Sequence, residues 1–176
     1  MNYAKLIIAT LILCSLISCK QEPKPQPTQP ATKEIPRQDA TAARRDSIIA
    51  FAEKYMGTPY CYASADPVKG FDCSGFVHFV FKHFGIEVPR SSAEFGKLGP
   101  ALKPADFKKG DVLVFYGYRD RTSVGHVGIV YEAKGMQSTF IHASSGSDYA
   151  VTISDLASEQ YTGRFYKCVD VVGRNN

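Results

Sequence analysis

From Leu6 to Ile17 the chain is apolar except at Thr10, Cys14 and Ser15, and Lys5 stands just before this run. The run is shorter than the roughly 20 residues that cross a bilayer and reads as the h-region of a signal peptide behind a charged n-region. No apolar period follows before residue 39. Pro23, Pro25, Pro27, Pro30 and Pro36 stand there among Lys, Gln, Thr and Glu. That composition predicts a linker with polyproline II character, with a reach of up to about 60 Å. Beyond it the period becomes helical. Asp39 or Thr41 caps a predicted helix running to Met56, with Ile48, Ala52, Tyr55 and Met56 on one face and Gly57 and Pro59 as stops. A loop from Thr58 to Asp72 leads to a second helix over Ser74–Phe84, closed by Gly85. Phe76, Val77, Phe79, Val80, Phe81 and Phe84 cover more than one face of it, which predicts burial on several sides. Ser91 or Ser92 opens a short third helix. From Asp111 onward the runs are strand-like: Val112–Tyr116, Val127–Tyr131, Thr139–Ala143 and a tail at Tyr166–Val172. Helices first and strands later is the α+β pattern.

Leu16-Ile17-Ser18-Cys19 resembles the lipobox of bacterial lipoproteins, in which the cysteine is lipidated and becomes the first residue of the mature chain. The resemblance implies a signal peptide over 1–18, a lipidated Cys19 with its linker over 19–38, and a domain over 39–176. About 138 residues suffice for one real core. The chain's net charge of +4 misleads, because five of its 21 basic but only two of its 17 acidic residues precede Asp39. The domain is close to neutral and shows no basic stripe with interleaved aromatics, so nucleic acid is not an expected partner. Five cysteines are present. Cys14 leaves with the leader and Cys19 carries lipid, so Cys61, Cys73 and Cys168 remain, an odd number for an oxidising compartment. Cys61 and Cys168 either pair or stay as buried free thiols.

Gly70-Phe71-Asp72-Cys73-Ser74-Gly75-Phe76-Val77 sets one cysteine where a loop of turn formers meets a helical period. The positive end of the helix dipole lowers a thiol's pKa, so Cys73 reads as a nucleophile. A thiol nucleophile needs a base, and the base an orienting partner. His78 lies about 140° around the same helix from Cys73, and His83 about 15 Å along it, so both point elsewhere. His126 and His142 remain. If Tyr131 pairs with Thr139 across the intervening loop, His142 faces Gly128 and His126 is a diagonal neighbour on the same face. A one-residue slip would separate them. Two unrelated strand histidines, or a zinc site with Cys73, are the alternatives. The zinc option is weaker, since no close ligand pair is present.

Six ordered blocks carry a resemblance: Gly57-Thr58-Pro59-Tyr60, Phe71 to Val77, Pro89-Arg90-Ser91-Ser92, Gly110 to Phe115, Gly125-His126-Val127-Gly128-Ile129, and Ile141-His142-Ala143. They resemble the NlpC-like family of bacterial cell-wall cysteine peptidases across nearly the whole domain. The resemblance implies a papain-like α+β fold, with the nucleophile at a helix start packed on an antiparallel sheet. It makes Cys73 the nucleophile, His126 the base and His142 the orienting residue, with Tyr60 and the Cys73 N–H holding the oxyanion. Asp72 and Ser74 become peptide-recognition residues, and Arg90 and Ser92 substrate-binding residues near the cleft. Taken alone, Tyr60 reads as a core aromatic and Arg90 as a surface or ion-pair residue.

The implied reaction is hydrolysis of peptidoglycan stem peptides or muropeptides at the γ-D-glutamyl–diamino acid bond, through a Cys73–His126 ion pair and an acyl-enzyme. It needs no cofactor and no metal, and a monomer is expected. An amidase or transferase acting on another cell-wall amide, and a non-catalytic wall-binding lipoprotein, are the competing readings. The expected location is the cell envelope, anchored through Cys19, at the outer membrane facing the periplasm. The chain departs from the family after Tyr60, where Cys61-Tyr62-Ala63-Ser64 and an insertion-like Ala65 to Lys69 replace an aromatic and two glycines. That loop is expected to border the cleft and set substrate preference. Metabolic labelling with an alkyne fatty acid is expected to tag the full chain and to fail on Cys19→Ala.

Overall fold

A computed structural model describes residues 37–175, which fall in a single unit spanning residues 35–176. The predicted leader, Cys19 and most of the linker lie outside the described residues. Helix α1 covers Arg37–Glu53. It begins before the predicted caps because Arg37 and Gln38 are themselves good helix formers, and Asp39 falls in its first turn, where a carboxylate suits the dipole. It ends short of Met56, and residues 54–57 form turns.

The loop that follows is more ordered than its sequence suggests. Strands β1 (Ala65–Asp66) and β2 (Gly70–Phe71) form a small antiparallel hairpin. Asp66 Oδ1 accepts from the backbone N–H groups of Val68 at 2.8 Å and Lys69 at 3.1 Å, a turn that its short acidic side chain favours. Helix α2 (Cys73–His83) then starts one residue before the predicted boundary, and α3 (Ser92–Phe95) starts after Ser91, whose extended backbone takes the N-cap position.

The sheet strands are β3 (Val112–Tyr116), β4 (Val124–Glu132), β5 (Thr139–Ala143), β6 (Val151–Asp155) and β7 (Phe165–Val169), with a short helix α4 (Glu159–Thr162) before the last. They order as β6-β5-β4-β3-β7, every neighbour antiparallel. β6 was not expected from the sequence, although Val151 and Ile153 alternate with Thr152 and Ser154; two apolar residues in a Ser- and Gly-rich stretch are a faint signal. β7 ends before the expected Val172 because Asp170 Oδ1 accepts from the Val172 and Gly173 N–H groups and turns the chain.

Both faces of this sheet are covered. On one, α1, α2 and α3 bury Ile48, Phe76, Val80, Phe81 and Phe95 against Val112, Val114, Val127, Ile129 and Ile141. On the other, Leu113, Phe115, Val130, Phe140, Leu156, Tyr161 and Cys168 form a second cluster. A strand covered on two sides has no polar face, so β3 reads as an unbroken apolar run. Helix α2 packs on β4 and β5 and also on α1, where Phe79 meets Tyr55 at 4.9 Å and Phe51 at 5.8 Å between ring centroids. Its several-sided burial is the one its sequence predicted.

The β4–β5 ladder pairs Ile129 with Ile141 and Val130 with Phe140, then shifts so that Glu132 meets Thr139. Tyr131 is the extra residue of a bulge, not the partner of Thr139 as expected. On the histidine side the register is nevertheless the expected one, and continuing it sets Gly128 opposite His142. A Cβ at Gly128 would lie 2.5 Å from Phe140 Cδ2 and 3.1 Å from His142 Cβ, so only glycine fits there.

One buried cation joins the first helix to the sheet. Arg45 Nη1 donates to Asp111 Oδ1 and to the Lys109 carbonyl, each at 2.7 Å, and Nη2 donates to Asp170 Oδ1 at 2.7 Å. Asp111 is fully buried, and burial raises its pKa to about 6 even beside this guanidinium. Arg45→Met would leave that carboxylate uncompensated and is expected to cost roughly 3–5 kcal/mol, read from urea unfolding.

Candidate active site

Asp72 builds the start of α2. Its extended backbone (φ −83°, ψ 173°) makes it the N-cap, and its Oδ1 accepts from Gly75 N at 2.6 Å. The same carboxylate accepts from Ser74 Oγ at 3.1 Å and from Arg90 in a two-pronged pair at 2.9 and 2.8 Å. Arg90 Nη1 also reaches Ser74 Oγ at 3.1 Å. Gly75 lets the preceding loop cross this turn, since a Cβ there would lie 2.1 Å from the Ser64 carbonyl oxygen. Cys73 is thereby held at the helix start, 8% exposed.

Its Sγ lies against the backbone on both sides of His126, 4.0 Å from the Gly125 carbonyl oxygen and within reach of the Val127 N–H. The thiol makes no hydrogen bond to the His126 ring in this state. His126 and His142 do meet: His126 Nε2 and His142 Nδ1 are 2.9 Å apart with the rings nearly perpendicular. His142 Nε2 lies 3.0 Å from Ser154 Oγ and 3.4 Å from the Tyr161 hydroxyl. One consistent proton assignment has His126 Nε2–H donating to His142 Nδ1 and His142 Nε2–H donating to Ser154, which leaves His126 Nδ1 bare as an acceptor. Among the described residues no cluster of three metal-ligating side chains converges.

Two cavities flank this point and share Gly125. One, of about 430 Å³, is lined by Tyr60, Cys73, Asp72, Ser74, Arg90 and Ser92, with Tyr62 and Ala63 of the departing loop at its edge. The other, of about 660 Å³, opens beside His126. Tyr60, Asp72, Cys73, Ser74, Arg90 and Ser92 thus line the smaller cavity and His126 the larger, with His142 bonded behind His126. The Tyr60 hydroxyl makes no hydrogen bond to another described residue. Burial, with Cys73 and Asp72 nearby, raises its pKa to about 12 and keeps it a donor. Arg90 is both an ion-pair residue and a cleft residue.

His78 binds the Val88 carbonyl at 3.1 Å, and His83 stacks on Phe51 at 3.9 Å, both away from the thiol as helix geometry required. Cys61 and Cys168 are free thiols: Cys61 is half-buried in the loop and Cys168 sits in the second core. Tyr161, Ser154 and Arg164, which surround the histidine pair, belong to no motif and carried no sequence signal.

Electrostatics correct one expectation. Burial pushes the Cys73 thiol up to about 11, the Asp72 carboxylate adds to this, and the N–H groups of Val127, Ser74 and Cys73 itself only partly offset them. Burial likewise drives His126 well below the usual imidazole range, helped by His142 and Arg164, and takes His142 down to about 3. Desolvation outweighs the N–H groups at the helix start, so burial works against the expected ion pair and favours a neutral thiol beside neutral imidazoles.

Residues 57–170 match the NlpC/P60 family. The chain belongs to that family. It is 35% identical over 136 residues to a γ-DL-glutamyl hydrolase of Bacillus subtilis, covering 77% of this chain and 29% of the relative. It is 39% identical over 121 residues to a probable endopeptidase NlpC homolog of Haemophilus influenzae, covering 68% of this chain and 58% of that protein. The chain thus spans under a third of the first relative's length and somewhat over half of the second's. The solved structure of the peptidoglycan hydrolase RipB from Mycobacterium tuberculosis superposes with a TM-score of 0.57, at 27% identity over 78% of this chain and 68% of that one. The family fold is papain-like α+β, and the helices packed on an antiparallel sheet agree with it.

A raised thiol pKa leaves little thiolate near neutrality. Iodoacetamide should therefore modify Cys73 at pH 7 more slowly than free cysteine, with a rate that climbs steadily toward pH 10. A rate plateau across pH 4–7 would mean that the ion pair exists at rest.

Proposed function

We propose that the protein is a cysteine peptidase of the bacterial cell wall that cleaves peptidoglycan stem peptides at the γ-D-glutamyl–diamino acid bond. The observation that carries this reading is a helix-start thiol that abuts the strand of a histidine already bonded to a second histidine. The γ-glutamyl chemistry in the name of the Bacillus subtilis relative supports the choice of bond.

The neutral pair defines the steps. Catalytic contacts commonly tighten only once substrate is bound. As the scissile carbonyl enters, His126 Nδ1 takes the thiol proton while the Sγ–C bond forms. The ion pair thus arises during attack, when its energy is offset by bond formation. The developing oxyanion meets the Cys73 N–H and the Tyr60 hydroxyl. His142 Nδ1 accepts from His126 Nε2–H, holds the ring in one tautomer and spreads the imidazolium charge, as an orienting acceptor does in a triad. His126 then gives its proton to the departing amine as the C–N bond breaks. A water molecule next loses a proton to His126 and attacks the thioester. Its oxygen bonds to carbon, the C–S bond breaks, and the proton returns to sulfur.

Asp72, Ser74, Arg90 and Ser92 would line the acyl side of the substrate. Attachment to the envelope through Cys19 belongs to the same proposal and rests on the lipobox resemblance.

Cys73→Ala is expected to lower stem-peptide cleavage by about 10⁴-fold or more while the unfolding midpoint stays near wild type. Mass spectrometry of digested muropeptides should find new N-terminal diamino acids. Products cut at the muramoyl–alanine bond would assign an amidase, and tight wall binding without products would assign a binding protein.

A further inference from the structure

The two cavities are chemically unequal. Cys73 lines only the smaller and His126 only the larger. In thiol hydrolysis the acyl part stays on sulfur and the amine leaves with a proton from the imidazole. The acyl portion therefore belongs on the Cys73 side and the leaving amine on the His126 side.

Arg164 lines that second cavity. It is 5% exposed, and its Nε donates to the Gln160 carbonyl at 3.1 Å and its Nη1 to the Tyr116 carbonyl at 3.4 Å. Tyr161 and Tyr118 flank the guanidinium at 5.2 and 5.7 Å from its central carbon to their ring centroids. No carboxylate pairs with it among the described residues, and Nη2 makes no hydrogen bond. The other buried arginine, Arg45, holds two carboxylates. A buried charge is ordinarily paired, and one that faces a cavity unpaired is poised for an anion from outside. No acidic residue lines the cavity, and Arg119 adds a second cation at its rim.

We propose that this cavity is the leaving-group subsite and that Arg164 binds a carboxylate on the amino acid whose amine departs. The assignment of sides rests on the thiol-hydrolase reading above. Arg164's planar fork suits a carboxylate, to which Nη2 and the cavity-facing edge are offered. Bound there, the anion would also cancel a positive charge that faces both imidazoles, so the correct leaving group would favour the protonated His126 that the reaction requires. The carboxylate comes either from the side chain of a diamino dicarboxylic acid or from a free α-carboxyl at the peptide's end.

Four synthetic γ-D-glutamyl peptides separate these sources: the leaving diamino acid with its side-chain carboxylate free or amidated, each as C-terminal acid or amide. Wild-type kcat/KM is expected to fall about 10- to 100-fold when the recognised carboxylate is amidated. The position whose amidation costs activity names the source. Arg164→Gln should lose a similar factor on the acid substrate and none on its amide, and Arg164→Lys should recover part of the discrimination. Equal wild-type rates on all four peptides, or an equal loss by Arg164→Gln on acid and amide, would overturn the subsite. The wild-type comparison needs no variant to fold.

Calorimetry of the acid and amide peptides on Cys73→Ala separates the two readings. If wild type cleaves none of them but Cys73→Ala binds the acid in an Arg164-dependent way, the hydrolase reading fails and the subsite stands. If neither cleavage nor such binding is found, the subsite fails as well.

Discussion

The Asp72 carboxylate is the interaction on which the site depends. It accepts from the Gly75 N–H, the Ser74 hydroxyl and both terminal nitrogens of Arg90, so one side chain ends the loop, begins α2 and anchors the segment that leads to α3. Each of those bonds is charge-assisted, and together they leave Cys73 little freedom to turn away from β4. The carboxylate also has a cost. It sits one residue from the thiol and opposes its ionisation, so the group that positions the thiol also restrains it.

That opposition shapes the chemistry. Burial disfavours charge on both sides of β4, on the two imidazoles among Phe115, Phe140 and Tyr161 and on the thiol in the first core. Such a site is quiet at rest. In the reaction proposed above, reactivity would depend on what substrate brings: exclusion of water, an electrophilic carbonyl beside sulfur, and donors aimed at the oxygen that gains charge. A thiol kept in its neutral form reacts little with adventitious electrophiles.

Much of this was legible in the sequence, for identifiable reasons. Cys73 stood out because loop formers meet a helical period there, and His78 and His83 were set aside by helix geometry alone. The strand pattern brought His126 to His142 because the side-chain period of two is strict, so the pairing that sets His142 opposite Gly128 puts both on one face and a one-residue slip would part them. What escaped notice lacked a period. β6 offers two apolar residues, and Tyr161 and Arg164 come from a short helix and the turn after it, where no spacing rule links them to residues twenty or forty positions earlier. The thiol's protonation state escaped for another reason. A helix start can be read locally, but burial is a property of the whole fold, and in this site it is the larger effect.

The bulge at Tyr131 has a consequence for how this domain can vary. The turn between β4 and β5 and the histidine end of the same ladder run in registers one residue apart, with the bulge taking up the difference. The histidine pairing is fixed instead by Phe140 and His142 closing over Gly128. The hairpin therefore has a mechanical slip joint between its tip and its working end. A change of length in the turn beyond the bulge can be taken up at that joint, and the two imidazoles keep their phase.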